Sequence, residues 1–371
     1  MISAKKEVIF QREGVDKLYS LLKSFNIGCD FISVDSRAFF DVYDVKLSNG
    51  TRASKVGRVL PDIGMAMQSC STPIGHPVMR EGVYRISIQR EEIRSPNLID
   101  VVSLFDGKMA SPAAIGTDSH GEPLFVDLNT LPNLLIGGVP GSGKSVLLHS
   151  IILSLLKSKS EIYLVDPKMV EFNSYENFSQ VSRIENSVEG MLEIIDEIYD
   201  IMNSRFIRFK SKSARNLREY NDSVIAKKAL APIVLVVDEW ADMVLQSNDI
   251  QKPLCAIAQK GRAAGISIVL ATQRPSSKVI SGLIKANFPG RIALKVASAV
   301  DSRVILDAKG AENLTDVGMG LFLDGRVSSP IMFRAPFIEN VKDEIEKLSL
   351  NLEAHTRKKT SFWGGLFRSG S

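Results

Sequence analysis

The chain has 371 residues, 44% apolar and 24% charged, with a formal net charge of +4. That length suggests about two domains of ordinary globular composition. Three cysteines, Cys29, Cys70 and Cys255, stand far apart and out of metal-ligand spacing, so neither a disulfide framework nor a zinc site is indicated.

In Gly14–Phe25 the residues Val15, Leu18, Leu21, Leu22 and Phe25 recur at helical spacing, so an amphipathic helix is expected near the start. Strands are expected over Phe31–Val34 and Phe40–Leu47, a helix over Lys55–Ser69, and a further strand over Tyr84–Gln89. Together they make a small α+β domain over 1–107. Residues 108–123, rich in Gly, Pro, Ser and Asp, read as a linker.

From 124 to 337 strand and helix patterns alternate. Strands are expected at Leu134–Ile136, Ile162–Val165, Ile233–Val237, Ile266–Ala271 and Ile292–Val296, with helices over Val188–Phe206, Leu254–Ala264 and Val279–Asn287. Such alternation predicts an α/β fold with a mostly parallel sheet covered on both faces, and a ligand beyond the carboxyl ends of its strands. Residues 338–371 read as a helix, Val341–Leu352, and a flexible basic tail. No run approaches the roughly 18 apolar residues of a membrane span, and the N-terminus lacks the apolar core of a signal peptide, so a cytoplasmic chain is expected.

The strongest motif is Gly138-Val139-Pro140-Gly141-Ser142-Gly143-Lys144-Ser145, a G-x-x-x-x-G-K-[ST] P-loop lying between an apolar strand and a helix. Its glycines let the main chain curl so that backbone N–H groups face phosphate, and the helix N-terminus adds its positive dipole end. Lys144 is then expected on the β- and γ-phosphates of ATP, and Ser145 on Mg²⁺. The run Val234–Val237 leads into Asp238-Glu239, a Walker B pattern. It assigns Asp238 to Mg²⁺ and Glu239 to the water that attacks the γ-phosphate.

Gln273, after the strand Ile266–Ala271, is a sensor candidate for the γ-phosphate; capping a helix is an equal alternative. Arg262 sits in the last turn of a helix ended by Gly265, where it either complements the helix dipole or acts on a neighbouring subunit's nucleotide. Asp166-Pro167-Lys168 either braces the site or faces solvent. Residues 257–310 carry nine Lys and Arg against Asp301 and Asp307, a local +7 that marks a polyanion-binding face.

Taken in order, Gly138–Ser145, Val165–Glu171, Ala214–Leu217, Val237–Asp242, Gln259–Gly265, Ala271–Ser276 and Gly282–Asn287 resemble the FtsK/SpoIIIE family of DNA translocases. The resemblance implies a RecA-like fold, a homohexameric ring around double-stranded DNA and ATP hydrolysis between subunits. It further implies that Arg262 is an arginine finger and that Arg274, Lys285 and Arg303 line the DNA path. The family's N-terminal membrane region and C-terminal winged-helix domain are not expected here, and Ala299 stands where a pore lysine is expected. Two alternatives share the core: a packaging or conjugative-coupling ATPase of a phage, plasmid or mobile element, and an ATP-dependent DNA-binding assembly switch. The intact Asp238, Glu239 and Gln273 argue against the switch.

Overall fold

A computed structural model describes residues 2–345 apart from 37–38, 70–71, 80–81, 91–94, 106, 328, 339, 342 and 344. Most of the expected C-terminal helix, the basic tail and Cys70 lie outside the described residues. Cys29 and Cys255 are buried free thiols. Among the described residues no helix is long and apolar enough to cross a membrane.

The first unit opens with helix α1 (Ile2–Ser24) and builds an antiparallel sheet from β1 (Cys29–Ser36), β2 (Phe40–Leu47), β3 (Ile74–Val78) and β4 (Val83–Gln89) in the order β1-β2-β4-β3. Helix α2 (Ala53–Ala66) lies between β2 and β3 in the chain. Leu18 and Leu22 from α1 and Val56, Leu60 and Ile63 from α2 pack on Val45, Tyr84 and Ile86 of the sheet. Helical spacing on both helices meets alternation on the strands, and the two patterns close one core. At the end of β4, Gln89 Nε2 donates to Asp316 Oδ2 at 3.3 Å, joining this unit to the second one.

After helix α3 (Leu98–Ser103) comes the second unit. Its strands are β5 (Pro112–Asp118), β6 (Pro123–Asp127), β7 (Asn133–Gly137), β8 (Glu161–Val165), β9 (Val181–Glu185), β10 (Ile233–Val237), β11 (Ile266–Thr272), β12 (Gly290–Leu294), β13 (Met319–Leu323) and β14 (Ile331–Arg334). They form one sheet in the order β6-β5-β14-β13-β12-β7-β11-β10-β8-β9. The run from β12 to β9 is parallel throughout; β13, β14, β5 and β6 extend it antiparallel. Helices α4 (Lys144–Leu156), α5 (Val188–Ser211), α6 (Leu217–Asp222), α7 (Trp240–Gln246), α8 (Gln251–Ala264), α9 (Gly282–Asn287) and α10 (Ala299–Leu306) complete the unit.

Strand β10 shows why both faces are covered. All five of its residues are buried, with Ile233, Leu235 and Val237 in one core beside α5, α7 and α8, and Val234 and Val236 in the other beside α4. Side chains that alternate between faces give an uninterrupted apolar run only when each face has its own layer. The mostly parallel sheet read from the alternation is therefore present.

Residues 108–123 differ from the expected linker, because they contain β5, whose Ala113, Ala114 and Ile115 are fully buried. Composition misleads here for a physical reason. Pro112 is tolerated as a first strand residue, and Gly116, at φ 144, sits where a Cβ would lie 1.9 Å from the Arg334 carbonyl oxygen. The glycine marks close strand packing rather than looseness.

Candidate functional site

The P-loop joins β7 to α4, as expected. Gly143 forms the N-cap of α4 at φ 100, with no side chain capping the helix end, and a Cβ there would meet the Gly318 backbone at 3.2 Å. Gly318 N donates to the Ser142 carbonyl at 2.9 Å, so the segment before β13 holds the loop from outside. Ser142 Oγ is buried and takes no hydrogen-bond partner among the described residues. An uncapped helix N-terminus beside an unpartnered hydroxyl is a cradle for an anion.

Lys144 is 3% exposed, and its Nζ donates to the Asp238 carbonyl at 2.7 Å and to Asp238 Oδ1 at 2.5 Å. Asp238 stands at the carboxyl end of β10, one strand removed from β7. Strand β11 lies between them, with Gly138 N donating to the Thr272 carbonyl at 3.2 Å. Glu239, 2% exposed, accepts from Thr272 Oγ1 at 2.6 Å and from Gln273 N at 2.9 Å. The three strand ends thus bring Lys144, Ser145, Asp238, Glu239 and Gln273 together. Parallel strands in register make this unavoidable, since Val237 lies opposite Leu270 and Gly137 opposite Thr272.

Ser145 Oγ donates to Glu171 Oε1 at 2.8 Å, and Glu171 Oε2 meets His149 Nε2 at 3.2 Å. The hydrogen bond from His149 holds the Glu171 carboxyl below the usual carboxylate range. Asp166, 1% exposed, braces this segment by accepting from Glu171 N at 2.8 Å and Phe172 N at 3.0 Å, which decides between the two readings left open for it. No sequence motif by itself gives Glu171 a role. Only its position in the run after β8 marked it, and no local pattern says that this run folds back onto α4.

Ser145 and Asp238 supply the hard oxygen donors that suit Mg²⁺ when phosphate oxygens and water complete its shell. With the open helix end and Lys144, the residues present fit a nucleoside triphosphate and that ion.

Arg262 lies elsewhere. It is exposed in the last turn of α8, just before Gly265 and the start of β11. There it lines a groove of ≈ 1510 Å³ with Lys159, Arg215, Arg218 and Lys260 at the amino ends of the parallel strands. The P-loop opens at their carboxyl ends, a five-residue strand or roughly 17 Å away. Arg262 does not reach the phosphate cradle of its own chain.

The three residues assigned to DNA divide into two places. Lys285 Nζ donates to the Arg303 carbonyl at 3.3 Å and pairs with Asp307, which also pairs with Arg291. Arg303 is exposed in the last turn of α10. Arg274 is exposed beyond the carboxyl end of β11 and takes no part in the Asp307 cluster.

The chain is similar to known proteins along most of its length. The FtsK/SpoIIIE family pattern matches residues 103–277. A DNA translocase FtsK of Campylobacter jejuni is 33% identical over 361 residues, covering 92% of this chain and 38% of that protein. DNA translocase SftA of Bacillus subtilis is 33% identical over 331 residues, covering 86% of this chain and 35% of the other. The chain therefore spans less than half the length of these relatives. Among solved structures, the pCW3 conjugation coupling protein TcpA with ATPγS superposes with TM-score 0.65 at 22% identity, covering 91% of this chain and 99% of that one, a likeness of fold.

Proposed function

The chain belongs to the FtsK/SpoIIIE family, and from that premise we propose that it is an ATP-driven motor moving on double-stranded DNA as a homohexameric ring. One observation carries the proposal. Lys144 meets Asp238 beside Glu239 at the carboxyl ends of the parallel strands, while Arg262 is exposed at their amino ends, clear of that cradle.

In this reading Lys144 leaves Asp238 for the β- and γ-phosphates when ATP enters, and Ser145 and Asp238 would hold Mg²⁺, which when bound would supply charge neutralisation across the phosphates. Glu239, fixed by Thr272 and the Gln273 amide, takes the proton of the attacking water at a carboxylate oxygen. The Gln273 side chain orients that water. Arg262 meets the γ-phosphate of the next subunit and offsets the charge that grows on it as the bond breaks. Hydrolysis then needs a neighbour, and duplex held in the ring by Arg274 and Arg303 moves as sites fire in turn.

A triplex-displacement assay on linear duplex tests the proposal. ATP should drive release of the third strand, and a slowly hydrolysed analogue should not. Duplex binding and ATP turnover without displacement would mark an assembly switch instead.

A further inference from the structure

Ser145 carries one hydroxyl proton and two lone pairs. To ligate a cation it must turn lone pairs toward the metal and send its proton elsewhere. The structure supplies that acceptor, since Ser145 Oγ donates to Glu171 Oε1 at 2.8 Å.

Glu171 is itself held from two sides. Its Oε2 meets Nε2 of His149, whose Nδ1 lies 2.8 Å from the Tyr175 hydroxyl, and both of those residues are buried. Its backbone N–H is fixed on buried Asp166. A carboxylate so constrained is not free to swing away, and its side chain is 29% exposed.

We propose that Glu171 is a positioning residue for the metal site: it accepts the hydrogen bond of the Ser145 hydroxyl so that the Ser145 lone pairs face Mg²⁺. The carboxylate acts on the metal through the serine, as carboxylates behind metal-bound histidines do, where loss of the outer partner typically costs about 10- to 100-fold in metal affinity. This inference rests on the reading of the cradle as an ATP and Mg²⁺ site.

The test is equilibrium binding of a slowly hydrolysed ATP analogue to the full chain, at a series of Mg²⁺ concentrations and in EDTA. Glu171→Ala should raise the half-saturating Mg²⁺ concentration roughly 10-fold or more and leave affinity in EDTA unchanged. Glu171→Met keeps the length and bulk of the side chain, so it reports the same loss should the alanine variant not fold. Glu171→Gln should stay near wild type, because its amide oxygen still accepts from Ser145. In a Ser145→Ala background the Glu171 changes should add nothing. The inference is overturned by folded Ala or Met variants with wild-type Mg²⁺ dependence, by equal losses with and without Mg²⁺, or by a full effect in the Ser145→Ala background. A wild-type chain with no Mg²⁺-dependent binding would instead overturn the ATP-site reading itself.

Discussion

Lys144 Nζ and Asp238 Oδ1 stand 2.5 Å apart, each side chain 3% exposed, so the two buried charges neutralise each other. Removing one member of such a buried pair strands the other charge, at a cost of about 3–5 kcal/mol. Lys144→Ala should therefore lose both nucleotide binding and thermal stability. The double variant Lys144→Met with Asp238→Leu should recover most of the melting temperature and none of the binding. Thermal melts alongside nucleotide titrations separate the two effects, and normal ATP affinity in Lys144→Ala would refute the P-loop assignment.

Glu239 is the candidate base, and its geometry fixes what its loss does. Glu239→Gln should keep ATP and Mg²⁺ bound yet reduce turnover by roughly two to four orders of magnitude. Thr272→Val removes the 2.6 Å hydrogen bond that orients the carboxylate and should give a smaller loss in kcat with KM unchanged. Steady-state kinetics showing wild-type turnover in Glu239→Gln would move the base elsewhere.

For Arg262 the expected signature is complementation. Its exposure means that Arg262→Ala should melt like wild type, while the loss of an arginine finger costs roughly three to five orders of magnitude in turnover. Mixed with the equally inactive Lys144→Ala protein, it should regain partial hydrolysis, because some interfaces then pair an intact P-loop with an intact arginine. Mixed rings that exchange subunits and stay inactive would return Arg262 to the role of a helix-end charge.

The basic residues should not contribute equally to DNA binding. Arg274→Ala and Arg303→Ala should each lower the slope of log affinity against log salt by about 0.9, the value for one lost phosphate contact. Lys285→Ala should leave it nearly unchanged, since that ammonium is already held by Asp307 and the Arg303 carbonyl. Duplex titrations at several salt concentrations check this, and equal slope changes for all three would show that Lys285 exchanges Asp307 for phosphate.

Much of this protein was legible in its sequence because the signals are local. A five-residue apolar run such as Ile233–Val237 needs cover on both faces wherever it lies. Gly138–Ser145 states its own turn, and the carboxylates after β10 follow a strand whose end lies on the same side of a parallel sheet as the P-loop. What local pattern leaves open is partnership at long range. The tertiary structure alone made residues 112–118 a sheet strand, because Gly116 passes against the Arg334 backbone more than two hundred residues away in sequence. It alone paired Lys285 with Asp307, and it brought Glu171 under Ser145. Hydrogen-bond partners are chosen by distance in space, and only the folded chain, with α4, β8 and the loop after β8 packed together, sets that distance.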